Sequence, residues 1–239
     1  MLTFGDYSGI ASVQATIFTP GLSFHSPSIF KKLFQIEPDL FDGDPTVLPI
    51  PEDAPKEIPR ITLQNNNKSL KLEVSPSRVN FFRTKISPDD DINIENFAEL
   101  SSQFLNSYLG SVDAKCGRLA AVVRRFSLVE NPGRVIAVHF CRKEFLEAPF
   151  DKPENFEIHA HKAYLLKGFD RVNSWVRIRS GIAQFAGQVP KSAIIVEQDI
   201  NTLSKGIEEK SYNEEEITKF YKIVAEEFDI ILKLYFQNK

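Results

Sequence analysis

Cysteine, methionine and tryptophan are scarce: the 239 residues hold two Cys, one Met and one Trp. Two cysteines, Cys116 and Cys141, cannot build a disulfide scaffold, and both are expected as free thiols in a reducing cytoplasm. There is no CxxC pair and no HExxH, so the usual zinc spacings are missing and no metal ligand is assigned. The 11 glycines are scattered. None forms the GxGxxG or GxxxxGK[ST] loops that cradle phosphates, so no cofactor is assigned. A GxSxG nucleophile elbow is also absent. No apolar run approaches the ~20 residues of a membrane span. The opening MLTFGDYSG has no basic stretch followed by an apolar core, so no signal peptide and no membrane association are expected.

What the chain does contain is apolar bulk with ordinary charge. It is 42% hydrophobic and 26% charged, with 20 Phe, a globular composition. Net charge is −3, too mild to define a partner. The sign is uneven, however. Residues 1–112 carry 9 basic and 14 acidic side chains, whereas 113–239 carry 20 and 18. Between Lys115 and Arg179 there are 13 basic and 7 acidic residues, a local excess that can form a patch.

The strongest periodic signal is Asn213–Phe236. Ile217, Phe220, Tyr221, Val224, Phe228, Ile231, Leu232, Tyr235 and Phe236 fall on one helical face. Asn213 with Glu216 makes a capping box. So long an aromatic stripe needs a sheet to bury it. The strands that supply the sheet alternate in the expected way: Tyr7–Phe18, Arg60–Asn65, Ser69–Ser75 and Arg78–Lys85 before a helix at Ile94–Leu109 that Gly110 ends. A short helix is expected at Ser26–Phe34 with Ser26 as cap, and a tight Asn-rich hairpin turn at 65–68. Six prolines and seven acidic residues in Glu37–Pro59 predict a long connection outside any ladder.

The order then repeats. A strand at Arg118–Val129 is followed by an apolar run at Arg134–Phe140 and one helical turn at Lys143–Leu146. Strands at Phe156–Leu166, Ser174–Phe185 and Ser192–Asp199 come next, and then the terminal helix. The chain therefore reads as one pseudo-duplicated α+β domain, with halves at 1–112 and 113–239. Each half is strand, short helical or irregular piece, three-strand meander and long helix. Two such halves predict a curved antiparallel sheet with both long helices on one face. A TATA-binding-protein-like saddle is the architecture that fits, with a helix-grip fold second; neither carries a function.

Three phrases carry a family resemblance: Ile58–Leu63 with Leu72–Asn80, Arg118–Arg125, and Ala193–Asn201. Together they resemble a sporadically distributed prokaryotic family of uncharacterised proteins of similar length. In that family a strand ends in an acidic D-x-D-like phrase before a long aromatic-rich helix. Here Glu197-Gln198-Asp199 stands at that position. The resemblance implies no catalytic residues, and it implies a setting near mobile or phage-defence genes.

Among sites, Trp175, Arg177 and Arg179 share one strand face, and Arg118, Arg124 and Lys162 are expected nearby. Cations for phosphate and an aromatic for stacking suit a nucleic acid or anionic ligand. Trp and Arg are equally the residues of a protein interface. His139, His159, His161 and Cys141 are the weaker zinc candidates. Pro38-Asp39, Pro88-Asp89 and Glu208-Glu209-Lys210, or Glu197, Asp199 and Glu73, are the candidates for a metal-dependent nuclease or hydrolase. The leading expectation is a non-catalytic interaction module, a homo-oligomer or partner of another protein. A nucleic-acid- or nucleotide-binding accessory protein comes second and a hydrolase third.

Overall fold

The computed structural model describes residues 2–51, 53–146, 153–185 and 187–237. Nine strands form one open, curved antiparallel sheet in the order β2-β3-β4-β5-β1-β6-β9-β8-β7. They are β1 Ile10–Phe18, β2 Thr46–Val47, β3 Ile61–Gln64, β4 Leu70–Val74, β5 Arg78–Thr84, β6 Arg118–Leu128, β7 Glu157–Leu165, β8 Arg171–Ala183 and β9 Lys191–Thr202. The helices are α1 Ser26–Ile36, α2 Ile94–Val112, α3 Pro132–Phe140 and α4 Glu214–Tyr235, with 3-10 turns at Phe4–Tyr7 and Lys143–Leu146. From the central β1–β6 pair outward, the sheet reads β5, β4, β3, β2 on one side and β9, β8, β7 on the other.

The α4 expectation holds in detail. Asn213 Oδ1 accepts from the Glu216 amide and Glu216 Oε2 accepts from the Asn213 amide, both at 2.9 Å. Helices α2 and α4 lie together over one sheet face. Phe97, Ala98, Tyr221, Val224 and Phe228 meet Val13, Ala15 and Ala121. The Tyr221 hydroxyl crosses to the Thr16 carbonyl at 2.8 Å, so a buried polar group on the helix is satisfied by the strand beneath it. In the first half Phe41, Phe81, Phe97 and Phe104 pack with centroids 5.5–5.6 Å apart, a spacing that suits tilted and edge-on ring contacts.

Several boundaries differ from the sequence reading. Helix α2 passes through Gly110 and ends at Asp113, which takes the left-handed conformation at φ 52°. His25, not Ser26, stands at the N-cap of α1. In the 65–68 turn the left-handed residue is Lys68. The asparagines there act through their side chains instead, Asn65 accepting from the Leu70 amide and Asn67 from the Ser69 amide. Residues 134–140, read from sequence only as an apolar run, are helical. Pro132 at the first turn presets φ for a helix, and this outweighs the β-branched Val135, Ile136 and Val138.

The proline-rich segment does contribute a ladder, though a minimal one: Thr46–Val47 pairs with Thr62 and Ile61. The buried Arg60 side chain then donates to the carbonyls of Ile58, Pro51 and Ala54 at 3.0–3.4 Å. A proline-rich stretch is rich in acceptors and poor in donors, and one guanidinium with five donors supplies the deficit.

Candidate ligand-binding face

The face of the sheet opposite α2 and α4 is where the cations meet. Strand register fixes this. Arg124 lies opposite Glu197, which lies opposite Arg177; Asp199 lies opposite Trp175, which lies opposite His161. Arg179, two residues along β8, shares that parity, and Arg118 shares the parity of Arg124 on β6. Five of the six candidate residues are therefore brought together. Lys162 is not. It faces the other side of β7, beside Tyr164 and the cleft under α4.

Glu197 is the hub. Its two carboxylate oxygens accept from Arg124 Nε and Arg177 Nη1, each at 2.6 Å. Burial pushes its carboxyl up, but the two guanidiniums outweigh burial and hold it below the usual range. Arg177 also lies over the Trp175 ring at 5.5 Å, and His161 stacks on that ring with centroids 4.1 Å apart. His161 Nε2 is 3.1 Å from Asn173 Oδ1. The aromatic thus contacts both a cation and an imidazole.

One row away, Asn201 collects the next set. Arg118 Nη2 and Asn173 Nδ2 both donate to Asn201 Oδ1, at 2.7 and 3.2 Å. Asn201 Nδ2 donates to Asp199 at 2.8 Å. Arg118 lies over Phe18 at 4.7 Å. Asp199 is less well served than Glu197. Burial raises its carboxyl above the usual range despite the bond from Asn201 and the neighbouring Arg177 and Arg118. Across β1 the polar row continues, with Thr16 and Gln14 both donating to Asn80 Oδ1.

The face is accordingly polar, interlocked and of mixed charge. Two of the four candidate arginines share one carboxylate. Arg179 has no carboxylate within 4 Å among the described residues. Asn173 and Asn201 belong to the site and were missed from sequence, and His161 was read there only as a zinc candidate. Their parity with Trp175, Asp199 and His159 was visible, but the cross-strand register that joins them was not.

The other candidates disperse. His159 and His161 share a face, as expected, with His159 3.3 Å from Glu157. His139, however, sits in α3 with its Nε2 3.1 Å from the Tyr235 carbonyl, on the helix side. Among the described residues no three His, Cys, Asp or Glu groups converge as metal ligands. Glu73 is on β4, with β5, β1 and β6 between it and β9. At ~4.8 Å per strand, that is too far to share a metal with Glu197 and Asp199. Cys116 is fully buried and burial pushes its thiol up to about 12, the reverse of what a nucleophile needs. No helix among the described residues is long and apolar enough to cross a membrane. No family model matches the chain, and no curated protein matches it.

Proposed function

We propose that this chain is a non-catalytic binding module, a single pseudo-duplicated domain of halves 1–112 and 113–239 on the plan of a TATA-binding-protein-like saddle. It offers the helix-free face of its sheet to a partner and associates with a second copy. What carries the reading is the contrast between the two faces. One is filled by α2 and α4, while the other holds a side-chain network already locked by ion pairs and amide bonds. A surface ordered before binding loses less side-chain entropy when a partner arrives. Self-association is supported by the unequal sheet edges. Edge strand β2 has two residues with prolines close on either side, whereas edge strand β7 runs nine residues without proline. A long edge with free N–H and C=O groups is a template for another strand. A setting beside prokaryotic defence genes belongs to this proposal through the resemblance of the sequence.

Light scattering on the eluting protein tests it. A dimer is expected at ~50 µM, an affinity range worth roughly 6 kcal/mol. Lysines placed at Ala160 and Ala163 should return it to monomer, because edge charge is how sheets block pairing. A monomeric parent at that concentration defeats the self-association.

A nucleic-acid-binding reading has its own support in Arg118 and Arg179, neither of which is neutralised by a close carboxylate among the described residues. It requires that affinity for a single strand fall steeply between low and moderate salt, and further in Arg118→Gln and Arg179→Gln.

A further inference from the structure

Where β1 begins, the helix-free face carries a cleft of about 310 Å³. Its floor and walls include Phe126, Phe185, Ile182 and Ile195, with Arg124 and Lys85 at the polar side. The two phenyl centroids are 6.0 Å apart and their planes are inclined at 60°. Rings so inclined can meet a third planar ring with a face and an edge, the two contacts aromatic pairs prefer. Gly181 keeps the floor open, since a Cβ there would stand 2.3 Å from Ile195 Cδ1. The same point is 3.7 Å from Arg179 Nη1, which brings a third cation to the rim. Arg124 spends its Nε on Glu197 but its side chain is 51% exposed, leaving its terminal nitrogens available. No carboxylate lines the cleft among the described residues.

An apolar, aromatic floor with cations at its rim and no lining carboxylate selects a ligand with a flat ring at one end and negative charge at the other. We infer that the cleft binds a single nucleotide. The base lies against Phe126 and Phe185, and the phosphate is held by Arg124 and Arg179, which are separated by β9 alone. The volume is at the small end of ligand pockets, roughly 300–1,000 Å³, which fits one nucleotide and excludes a dinucleotide cofactor. A free mononucleotide and one unstacked nucleotide of a single strand present the same chemistry. The inference rests on the helix-free face being the binding face, and it adds the ligand class.

The test is calorimetric titration of the full chain with AMP, GMP, CMP and UMP, then with adenosine and a single-stranded tetranucleotide. At least one monophosphate should bind with Kd below ~1 mM, and its nucleoside at least about tenfold more weakly. Phe126→Leu keeps the apolar volume and removes the ring; Arg179→Gln keeps the length and removes the charge. Each should weaken binding about tenfold with an unchanged melting temperature. A tetranucleotide bound about tenfold more tightly than the monophosphate assigns the site to a strand; equal affinities assign it to the free nucleotide. No binding of any monophosphate at ~5 mM, or binding indifferent to both substitutions, overturns the inference. Light scattering decides separately whether the chain self-associates, so a failed nucleotide site and a failed interaction module give different results.

Discussion

Replacing Asp229 by alanine should cost about 2 kcal/mol, because it strands a buried charge. Arg125 lies on the helix side of β6 with its side chain 2% exposed. Its Nη1 donates to the Tyr7 and Ser8 carbonyls at 3.0 Å each, and its Nη2 donates to Asp229 at 2.6 Å. Its Nε is buried with no partner. Burial pulls the guanidinium pKa down, opposed by Asp229. This one side chain therefore ties the N-terminal 3-10 turn, the central strand and the terminal helix together, and a single carboxylate balances its charge. Breaking a fully buried pair from one side costs about 3–5 kcal/mol. Asp229 is itself 46% exposed, so water can reach Nη2 once the carboxylate is gone, and about half of that figure is expected.

Urea denaturation at neutral pH measures this loss directly. For a chain of this size about 2 kcal/mol corresponds to a fall of roughly 4–8 °C in Tm. The loss should persist at ~1 M salt, where an exposed pair would be screened away. A double-mutant cycle with Arg125→Met isolates the pair. Once the guanidinium is gone, losing Asp229 should cost little, giving a coupling of about 1–2 kcal/mol. If Asp229→Ala stays within about 0.5 kcal/mol of the parent, the range of ordinary surface changes, then the two carbonyls alone satisfy Arg125 and the reasoning fails.

Two neighbours on β9 should respond to pH with opposite signs. Asp199 has its pKa raised by burial, so what it contributes is present below the unfolded pKa and lost as pH rises through the folded one. Asp199→Asn should therefore stabilise the protein at neutral pH, with the gain vanishing below about pH 4. Glu197, held low by Arg124 and Arg177 against burial, contributes above the unfolded pKa and loses that as pH falls through the folded one. Glu197→Gln should destabilise at neutral pH and become silent in acid. Melting curves of both variants across pH check this; parallel curves for the two would refute it. Native protein treated with a thiol reagent at mild alkaline pH should be modified at the half-exposed Cys141 and spare Cys116, whose thiol is pushed up to about 12. Rapid labelling of Cys116 without unfolding would contradict its burial.

The fold was legible where periodicity and punctuation agreed. Asn213, Glu216 and the apolar stripe after them specify α4 almost residue by residue, because capping and amphipathicity are local. The strand meanders were legible for the same reason. Residues 134–140 were legible only as an apolar run within a short helical or irregular piece. Val135, Ile136 and Val138 favour a strand by propensity, and only Pro132 marks the helix start. Gly110 was read as a helix end. A C-terminal glycine is a tendency, though, and the left-handed position fell to Asp113 three residues later. Thr46–Val47 shows the limit of reading prolines as absolute exclusions: two residues between Pro45 and Pro49 suffice for an edge pair.

The site was half legible, and the half that was missed explains why no activity could be read from it. Strand parity put Trp175, Arg177 and Arg179 on one face, since that depends only on a period of two. Register between strands depends on turns and on the hydrophobic set buried beneath them, and it decides what each cation meets. Here it places Glu197 between Arg124 and Arg177. Two charges that look available for phosphate in the sequence thereby share one carboxylate, and Arg124 keeps only its terminal nitrogens for a ligand. The same register leaves Arg179 beside the Gly181 floor of the cleft, and its register partner Glu157 lies 3.3 Å from His159 instead, so no carboxylate stands within 4 Å of Arg179 among the described residues. The basic excess between Lys115 and Arg179 is therefore a poor guide to binding strength. What matters is which arginines the fold leaves without a close carboxylate, and among the candidates these are Arg118 at one end of the face and Arg179 at the other, next to the aromatic cleft.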